Sequence, residues 1–338
     1  MRGIWDRGLG MTMLLILGLA ACTPQSQNYN PPEIGHAKLA DGIYRTVDDT
    51  ALPYRKWLPQ GKPKAIIVAV HGFNDYSYAF EYPGEFFRAH GVAMYAYDQR
   101  GFGATKDIGI WAGEGNLTHD LKQFVELVKL KHPRVPVYVL GESMGGAVAI
   151  NALAGSDFPK VRGLILSAPA VWGAENMSFV YRGTLWLAAH TIPSHEFTGS
   201  DLKILASNNY PMLVRMVHDP LIVKKARVDA VYGLVQLMGD AYENIPAIKT
   251  PTLLLYGAED QVIPSRPIER AIARFTVPVE YAYYPDGYHM LLRDLEREEI
   301  YGDILHWIDH PAAKLPSGDG KTHDPADQAP ALESPNNK

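Results

Sequence analysis

The sequence predicts an α/β fold built on a doubly wound, mostly parallel sheet, and three observations carry that expectation. Short runs rich in Val, Ile, Leu or Tyr alternate with amphipathic stretches of helical period. One run, Val135–Leu140, leads directly into Gly141-Glu142-Ser143-Met144-Gly145 and then into Gly146-Ala147-Val148-Ala149, an order that reads as strand, tight turn, helix. Finally, the residues able to do chemistry stand just past the carboxyl ends of the runs, where open parallel sheets bind their ligands.

The predicted strands are Ala65–Val70, Val92–Tyr97, Val135–Leu140, Val161–Ser167, Thr252–Tyr256 and Val279–Tyr284. They are nearly continuous in apolar character, as suits strands covered on both faces. Between them, 116–132 carries Leu117, Leu121, Phe124, Val125 and Val128 at helical spacing with charges interleaved, and is predicted as a helix.

The turn around Ser143 fits Gly-x-Ser-x-Gly. In that setting a serine is held in a strained backbone with its hydroxyl exposed at the sheet edge, and the glycines are needed because side chains would collide with the adjacent strand or helix. Ser143 is therefore the candidate nucleophile. It needs a base within hydrogen-bond reach and an acid to orient that base. Past Tyr256 come Gly257-Ala258-Glu259-Asp260, and past Tyr284 come Pro285-Asp286-Gly287-Tyr288-His289. Serine, acid and histidine thus leave three strands at one edge in the order Ser, Asp, His, which is the order expected of α/β-hydrolases. His289 is the candidate base and Asp260 the candidate acid, with Glu259 and Asp286 as rivals. His306 and His310 fall on or just past the final helix.

These motifs, with His71-Gly72 after one strand, Asp98-Gln99-Arg100-Gly101-Phe102-Gly103 after the next and His218-Asp219-Pro220-Leu221 further on, make the chain resemble an α/β-hydrolase of the monoacylglycerol lipase and lysophospholipase group, also called the serine aminopeptidase family. The resemblance covers about residues 45–310. It implies a helical cap inserted after the strand that follows the nucleophile turn. It also implies an oxyanion hole made by the backbone N–H groups of Met144 and Phe73. His71 is expected to support its loop, Asp98 and Arg100 to be structural, and Asp120 to sit on a helix surface or cap. A serine at the turn, rather than an aspartate, implies acyl transfer. No HExxH or cysteine-rich spacing occurs, so neither metal nor cofactor is implied.

The chain divides, on this reading, into a targeting segment (1–21), a polar tether (22–42), a catalytic core (43–170 and 246–312), a helical cap (171–245) and a disordered tail (313–338). The targeting segment has Arg2 and Arg7, then an apolar run at 11–21 too short to span a bilayer. It closes with Leu19-Ala20-Ala21-Cys22, which resembles the lipobox of bacterial lipoproteins, and Cys22 is the only cysteine in 338 residues. Cys22 is thus the expected lipid attachment point. Thr23 after it, rather than Asp, points by the same resemblance to the outer membrane, with the catalytic domain facing the periplasm. With one cysteine no internal disulfide can form, so the core must supply the stability.

The cap region is dense in aromatics and methionines. Trp172, Met177, Tyr181, Leu185 and Trp186 are expected to line an apolar tunnel for an acyl chain. A net charge of −5 without a basic stripe argues against nucleic acid as a partner. The expected partners are a lipid-like ester and, through the anchor, a membrane; the sequence leaves the oligomeric state open. The leading reading is an exported serine hydrolase of monoacylglycerols or lysophospholipids. One alternative is an aminopeptidase-type hydrolase, for which Glu175, Glu196 and Asp201 in the cap could meet a substrate ammonium. The other is a non-catalytic envelope lipoprotein on a hydrolase fold.

Overall fold

The computed structural model describes residues 23–27, 36–172, 177–199, 204–311 and 313–325. The expected targeting segment and Cys22 lie outside the described residues, as do Glu175 and Asp201. The strands are β1 (Lys38–Ala40), β2 (Ile43–Arg45), β3 (Ala51–Trp57), β4 (Ala65–Val70), β5 (Val92–Tyr97), β6 (Val137–Glu142), β7 (Gly163–Ser167), β8 (Glu196–Phe197), β9 (Ala226–Arg227), β10 (Thr252–Gly257), β11 (Val279–Tyr284) and β12 (Gly320–His323). The helices are α1 (Glu81–Ala89), α2 (Glu114–Lys131), α3 (Met144–Ala154), α4 (Phe179–Thr191), α5 (Tyr210–His218), α6 (Val228–Asn244), α7 (Ser265–Ile272) and α8 (Arg297–Asp309).

Ten strands form one sheet in the order β1-β2-β3-β5-β4-β6-β7-β10-β11-β12. The six from β5 to β11 in that order run parallel, while β1–β3 and β12 are antiparallel additions at the two edges. Every residue of β4, β5, β6, β7 and β10 is buried, because helices cover both faces. On one face α2, α3, α6 and α7 bring Phe124, Val148, Leu237 and Ile268 onto the sheet. On the other, α1 and α8 bring Phe87, Ile304 and Trp307. β6 begins two residues later than its apolar run, just after Pro136, which has no N–H for a ladder.

The Asp98-x-Arg100 loop is structural, as its place in the chain suggested. Asp98 accepts from the backbone N–H groups of Ser77 and Ala104. Arg100 is buried and donates to both Asp120 oxygens, at 2.6 and 2.9 Å, and to both Asp48 oxygens, at 2.6 and 2.7 Å. Asp120 is therefore not the surface residue its helical position suggested. It lies fully inside, on the face of α2 turned toward the sheet.

Between β7 and β10 the chain forms α4, the short β8–β9 ribbon, α5 and α6. Asp219, in the Asp-Pro-Leu motif, accepts from the Tyr76 hydroxyl at 2.7 Å and so ties this insertion to the core.

Two stretches expected to be free are ordered where they are described. β1 falls inside the expected tether and pairs with β2. In the expected disordered tail, β12 pairs with β11, from Ala282↔Gly320 to Val279↔His323, and Leu315 is buried beneath it. Polar composition hid both, since an edge strand needs only its backbone and one apolar contact to hold. Replacing Leu315 by Ala should lower stability by about 2–5 kcal/mol, the range for a buried leucine. Thermal unfolding checks this: a passive tail would leave the midpoint unmoved.

Candidate active site

Ser143 stands between β6 and α3 with φ 53° and ψ −118°, a conformation costing about 1–3 kcal/mol for a residue with a side chain. The neighbourhood enforces it. A Cβ on Gly145 would lie 2.0 Å from the Val70 carbonyl oxygen, and one on Gly141 would lie 2.5 Å from that of Gly145. Strand and helix therefore cross at a separation only glycine permits, and the turn between them cannot relax. The Ser143 N–H is held by the Ser167 carbonyl at 3.0 Å.

His289 follows β11, and its Nδ1 lies 2.8 Å from Asp260 Oδ2. The other Asp260 oxygen accepts from the N–H groups of Val262 and Ile263, at 2.7 and 2.9 Å. That fixes the carboxylate, and the carboxylate in turn fixes the imidazole with its proton on Nδ1 and its Nε2 free. The rivals Glu259 and Asp286 are both exposed, and neither reaches the ring. The histidine loop is braced from the cap: Met290 N–H donates to the Ala206 carbonyl, and Asp294 takes the Ser207 hydroxyl and the Tyr288 N–H.

Met144 is the first residue of α3, where a helix N–H has no partner within the helix. Phe73 lies on the loop after β4, and that loop is rigid. His71 Nδ1–H donates to the Gly72 carbonyl at 2.8 Å, while His71 Nε2 accepts from the Gln99 N–H at 2.9 Å. Burial keeps the His71 pKa below its ordinary value, which suits a neutral ring in that one tautomer. His71 thus supports its loop and touches no reacting atom.

Ser143 and His289 share a pocket of about 260 Å³. Its apolar wall includes Phe73, Met144, Ala170, Leu234, Met238 and Ile263. A larger cavity, about 620 Å³, opens at the opposite ends of β10 and β11 beside Trp307 and Lys321, and among the described residues no serine, cysteine or histidine lines it. The pocket wall differs from expectation. Among the described residues, Trp172, Met177, Tyr181, Leu185 and Trp186 do not line it. Trp172 packs against the core, Met177 and Leu185 are half-buried, and Tyr181 and Trp186 are 68% and 52% exposed on α4. The wall comes instead from α6, which returns from the insertion and lies along α3.

One part of the site had no signal in the sequence. Arg293, on the short turn after His289, is buried and donates to Asp75 at 2.7 Å and to Glu142 at 3.0 Å. Burial opposes the guanidinium charge, but the two carboxylates outweigh it and hold the group protonated. Burial pushes the Glu142 carboxyl up, partly offset by Arg293. The clamp joins the oxyanion loop, the nucleophile turn and the histidine loop, three segments far apart in the chain.

The arrangement is fitted to acyl transfer. His289 Nε2 can take the Ser143 proton as Oγ attacks a carbonyl carbon. Asp260 would stabilise the imidazolium, and backbone N–H groups at Met144 and Phe73 could meet the oxyanion. The imidazolium would then protonate the leaving alcohol, leaving the acyl group as an ester on Ser143, and water would attack that ester by the reverse sequence to release the acid and restore the serine.

A family model described as serine aminopeptidase, S33 matches residues 61–296. The monoacylglycerol lipase of Mycolicibacterium smegmatis is 26% identical over 277 residues, spanning 78% of this chain and 94% of its own length. The monoglyceride lipase of Rattus norvegicus is 27% identical over 303 residues, spanning 86% of this chain and 94% of its own. A solved structure of a soluble variant of monoglyceride lipase from Saccharomyces cerevisiae, in complex with a substrate analog, superposes with a TM-score of 0.68 at 21% identity. It covers 86% of this chain and 99% of that one, a likeness of fold.

Ser143→Ala should lower kcat on an ester by roughly 10⁶-fold, the loss typical of a triad nucleophile, and Asp260→Asn by a smaller factor. Arg293→Met should instead act on stability, by about 3–5 kcal/mol, because it strands two buried carboxylates. Steady-state kinetics and thermal unfolding of the three variants separate these roles; near-normal turnover by Ser143→Ala would refute the site.

Proposed function

The chain belongs to the serine aminopeptidase S33 family of α/β-hydrolases, and from that premise we propose that it is a lipid-anchored envelope enzyme hydrolysing monoacylglycerols or lysophospholipids through an acyl-enzyme. It is a carboxylic ester hydrolase of lipid-like substrates. The observation that carries the proposal is the Asp260–His289 pair opening, with Ser143, into a pocket walled largely by apolar side chains. Each methylene buried there contributes about 0.8 kcal/mol, so the wall favours a long acyl chain but separates neighbouring lengths weakly.

An aminopeptidase needs a carboxylate free to pair with the substrate ammonium. Among the described residues of the pocket wall, the carboxylates are Asp75 and Glu142, and Arg293 engages both. Glu196, on β8, is exposed and away from this wall. This supports the ester reading. A purely binding lipoprotein would have no use for a nucleophile turn held under strain.

Anchoring rests on Leu19-Ala20-Ala21-Cys22, through cleavage before Cys22 and acylation of that residue. Among the described residues no helix is long and apolar enough to cross a membrane. Stable attachment generally needs more than one acyl chain, which a lipoprotein amino terminus carries. Thr23 favours the outer membrane, with the enzyme facing the periplasm.

A fluorophosphonate probe should label the protein, and labelling should be lost in Ser143→Ala. Against a matched panel, monoacylglycerol and lysophospholipid should be cleaved with kcat/KM well above that for aminoacyl amides; the reverse order would establish the peptidase. A palmitate analogue fed to expressing cells should enter the wild-type protein in the membrane fraction but not Cys22→Ser. An unlabelled soluble wild-type protein would remove the anchor.

A further inference from the structure

Residues 23–27 belong to the stretch whose polarity reads as a free tether, yet they are pinned. Gln27 N–H donates to the Trp111 carbonyl at 2.9 Å, its Nε2 donates to the Ile110 carbonyl at 3.1 Å, and its own carbonyl accepts from Asn116 Nδ2 at 3.0 Å. Gln25 N–H donates to Asp229 Oδ2 at 3.2 Å, and its Oε1 accepts from Arg227 at 3.0 Å. These contacts reach two different bodies. Trp111 and Asn116 belong to the core, whereas Arg227 and Asp229 stand at β9 and the start of α6, inside the insertion.

The receiving surface is built rather than incidental. The Asp229 side chain is 0% exposed and paired with Arg227 at 2.6 Å. Asn116 is buried and also donates to the Ala112 carbonyl. β9 pairs with β8, and the N–H groups of Val228 and Asp229 bond to the carbonyls of His195 and Pro193, just past the end of α4. The docking point is thus continuous with α4, whose outer face leaves Phe179, Tyr181, Trp186 and Leu187 exposed.

Reach decides what this does. An extended residue spans at most about 3.6 Å, so an attachment at residue 22 could stand no more than about 11 Å from the docked Gln25. A free tether running to residue 42 could extend to about 70 Å and would leave the domain free to turn. We propose that residues 23–27 form a strap that seats the membrane-attached end of the chain on the insertion, so that the bilayer lies against the exposed apolar face of α4. An exposed aromatic-rich helix face with its anchor alongside suits the boundary between headgroups and acyl chains. The proposal rests on acylation of Cys22 as read above.

The test uses the full acylated protein in phosphatidylethanolamine–phosphatidylglycerol vesicles. Leu187→Cys and Lys249→Cys each add one thiol for an environment-sensitive fluorophore, Cys22 being blocked by its lipid. Lys249 is exposed and precedes β10, so it marks the end of the sheet opposite Ser143. A label at 187 should be quenched by nitroxide lipids severalfold more strongly than one at 249. Combining Gln25→Pro, Gln27→Pro and Asn116→Ala takes away both backbone N–H donors, both glutamine side chains and the Asn116 donor, and should remove most of that difference, while the protein stays membrane-bound and keeps its ester hydrolysis in detergent. Equal quenching at the two sites in otherwise wild-type protein would overturn the proposal, as would a difference the triple variant leaves intact. Quenching at 187 that is lost as protein is crowded on the vesicle would put a second copy on that face instead, and would overturn the proposal. A protein carrying no palmitate would remove the anchoring reading, and the proposal with it. Palmitate present with equal quenching would defeat the strap alone.

Discussion

The close crossing of β6 and α3 is the constraint on which the site depends. With Val70 of β4 pressed against the same helix, Val70, Gly141 and Gly145 approach so closely that no Cβ fits at either glycine, and Ser143, on the turn between them, is held in one backbone conformation. Ser143 takes it at positive φ because the packed strand and helix on either side hold it there. The strain puts a hydroxyl at the sheet edge beside the first free N–H of α3. The proposed nucleophile and one proposed oxyanion donor are thereby products of a single packing decision. The helix N-terminus adds its positive end to the place where negative charge would develop.

Around that turn the chain uses buried charge as a joint. Arg293 reaches Asp75 on the oxyanion loop and Glu142 next to the nucleophile, while its neighbour Asp294 holds Tyr288 and Ser207. Arg100 does the same lower down for Asp48 and Asp120. Buried pairs contribute little net stability, yet breaking one is expensive because a charge is then stranded. Their effect here is to make wrong loop arrangements costly. A catalytic site assembled from separate loops needs that kind of rejection more than it needs extra attraction.

How much of this was legible in the sequence follows the physics of each part. β4 and β5 match their apolar runs to the residue because strands covered on both faces show up as unbroken hydrophobic stretches; β11 matches as well, although it carries Glu280 and buries only Val279, Ala282 and Tyr284. The turn at Ser143 and the order of Asp260 and His289 were legible because glycine spacing and strand-end position are local properties. β1 to β3 and β12 were not. In β3 only Leu52, Tyr54 and Trp57 are buried, and β12 has no buried side chain at all. The Arg293 clamp was also invisible: Asp75 and Arg293 are separated by 218 positions and joined only by the fold. The strap was hidden for a related reason, since Gln25 and Gln27 bind largely through backbone groups that every sequence possesses.

The acyl-binding wall failed differently, and the failure is informative. Helical periodicity assigns a buried face only when the polar residues gather on one side, and α4 scatters its own, Arg182, Thr184, His190 and Thr191, around the helix. Phe179-Val180-Tyr181 and Leu185-Trp186-Leu187 are consecutive runs that point around the helix. The protein covers one strip of it, where Ala189 is buried and α6 packs alongside, and leaves the rest outside. α6, by contrast, buries Leu237, Met238, Ala241 and Tyr242 on one face and supplies the pocket. A helix with large apolar residues on more than one face is best served by two apolar surroundings. Among the described residues the fold provides α4 with one of them, and the bilayer proposed above would supply the other.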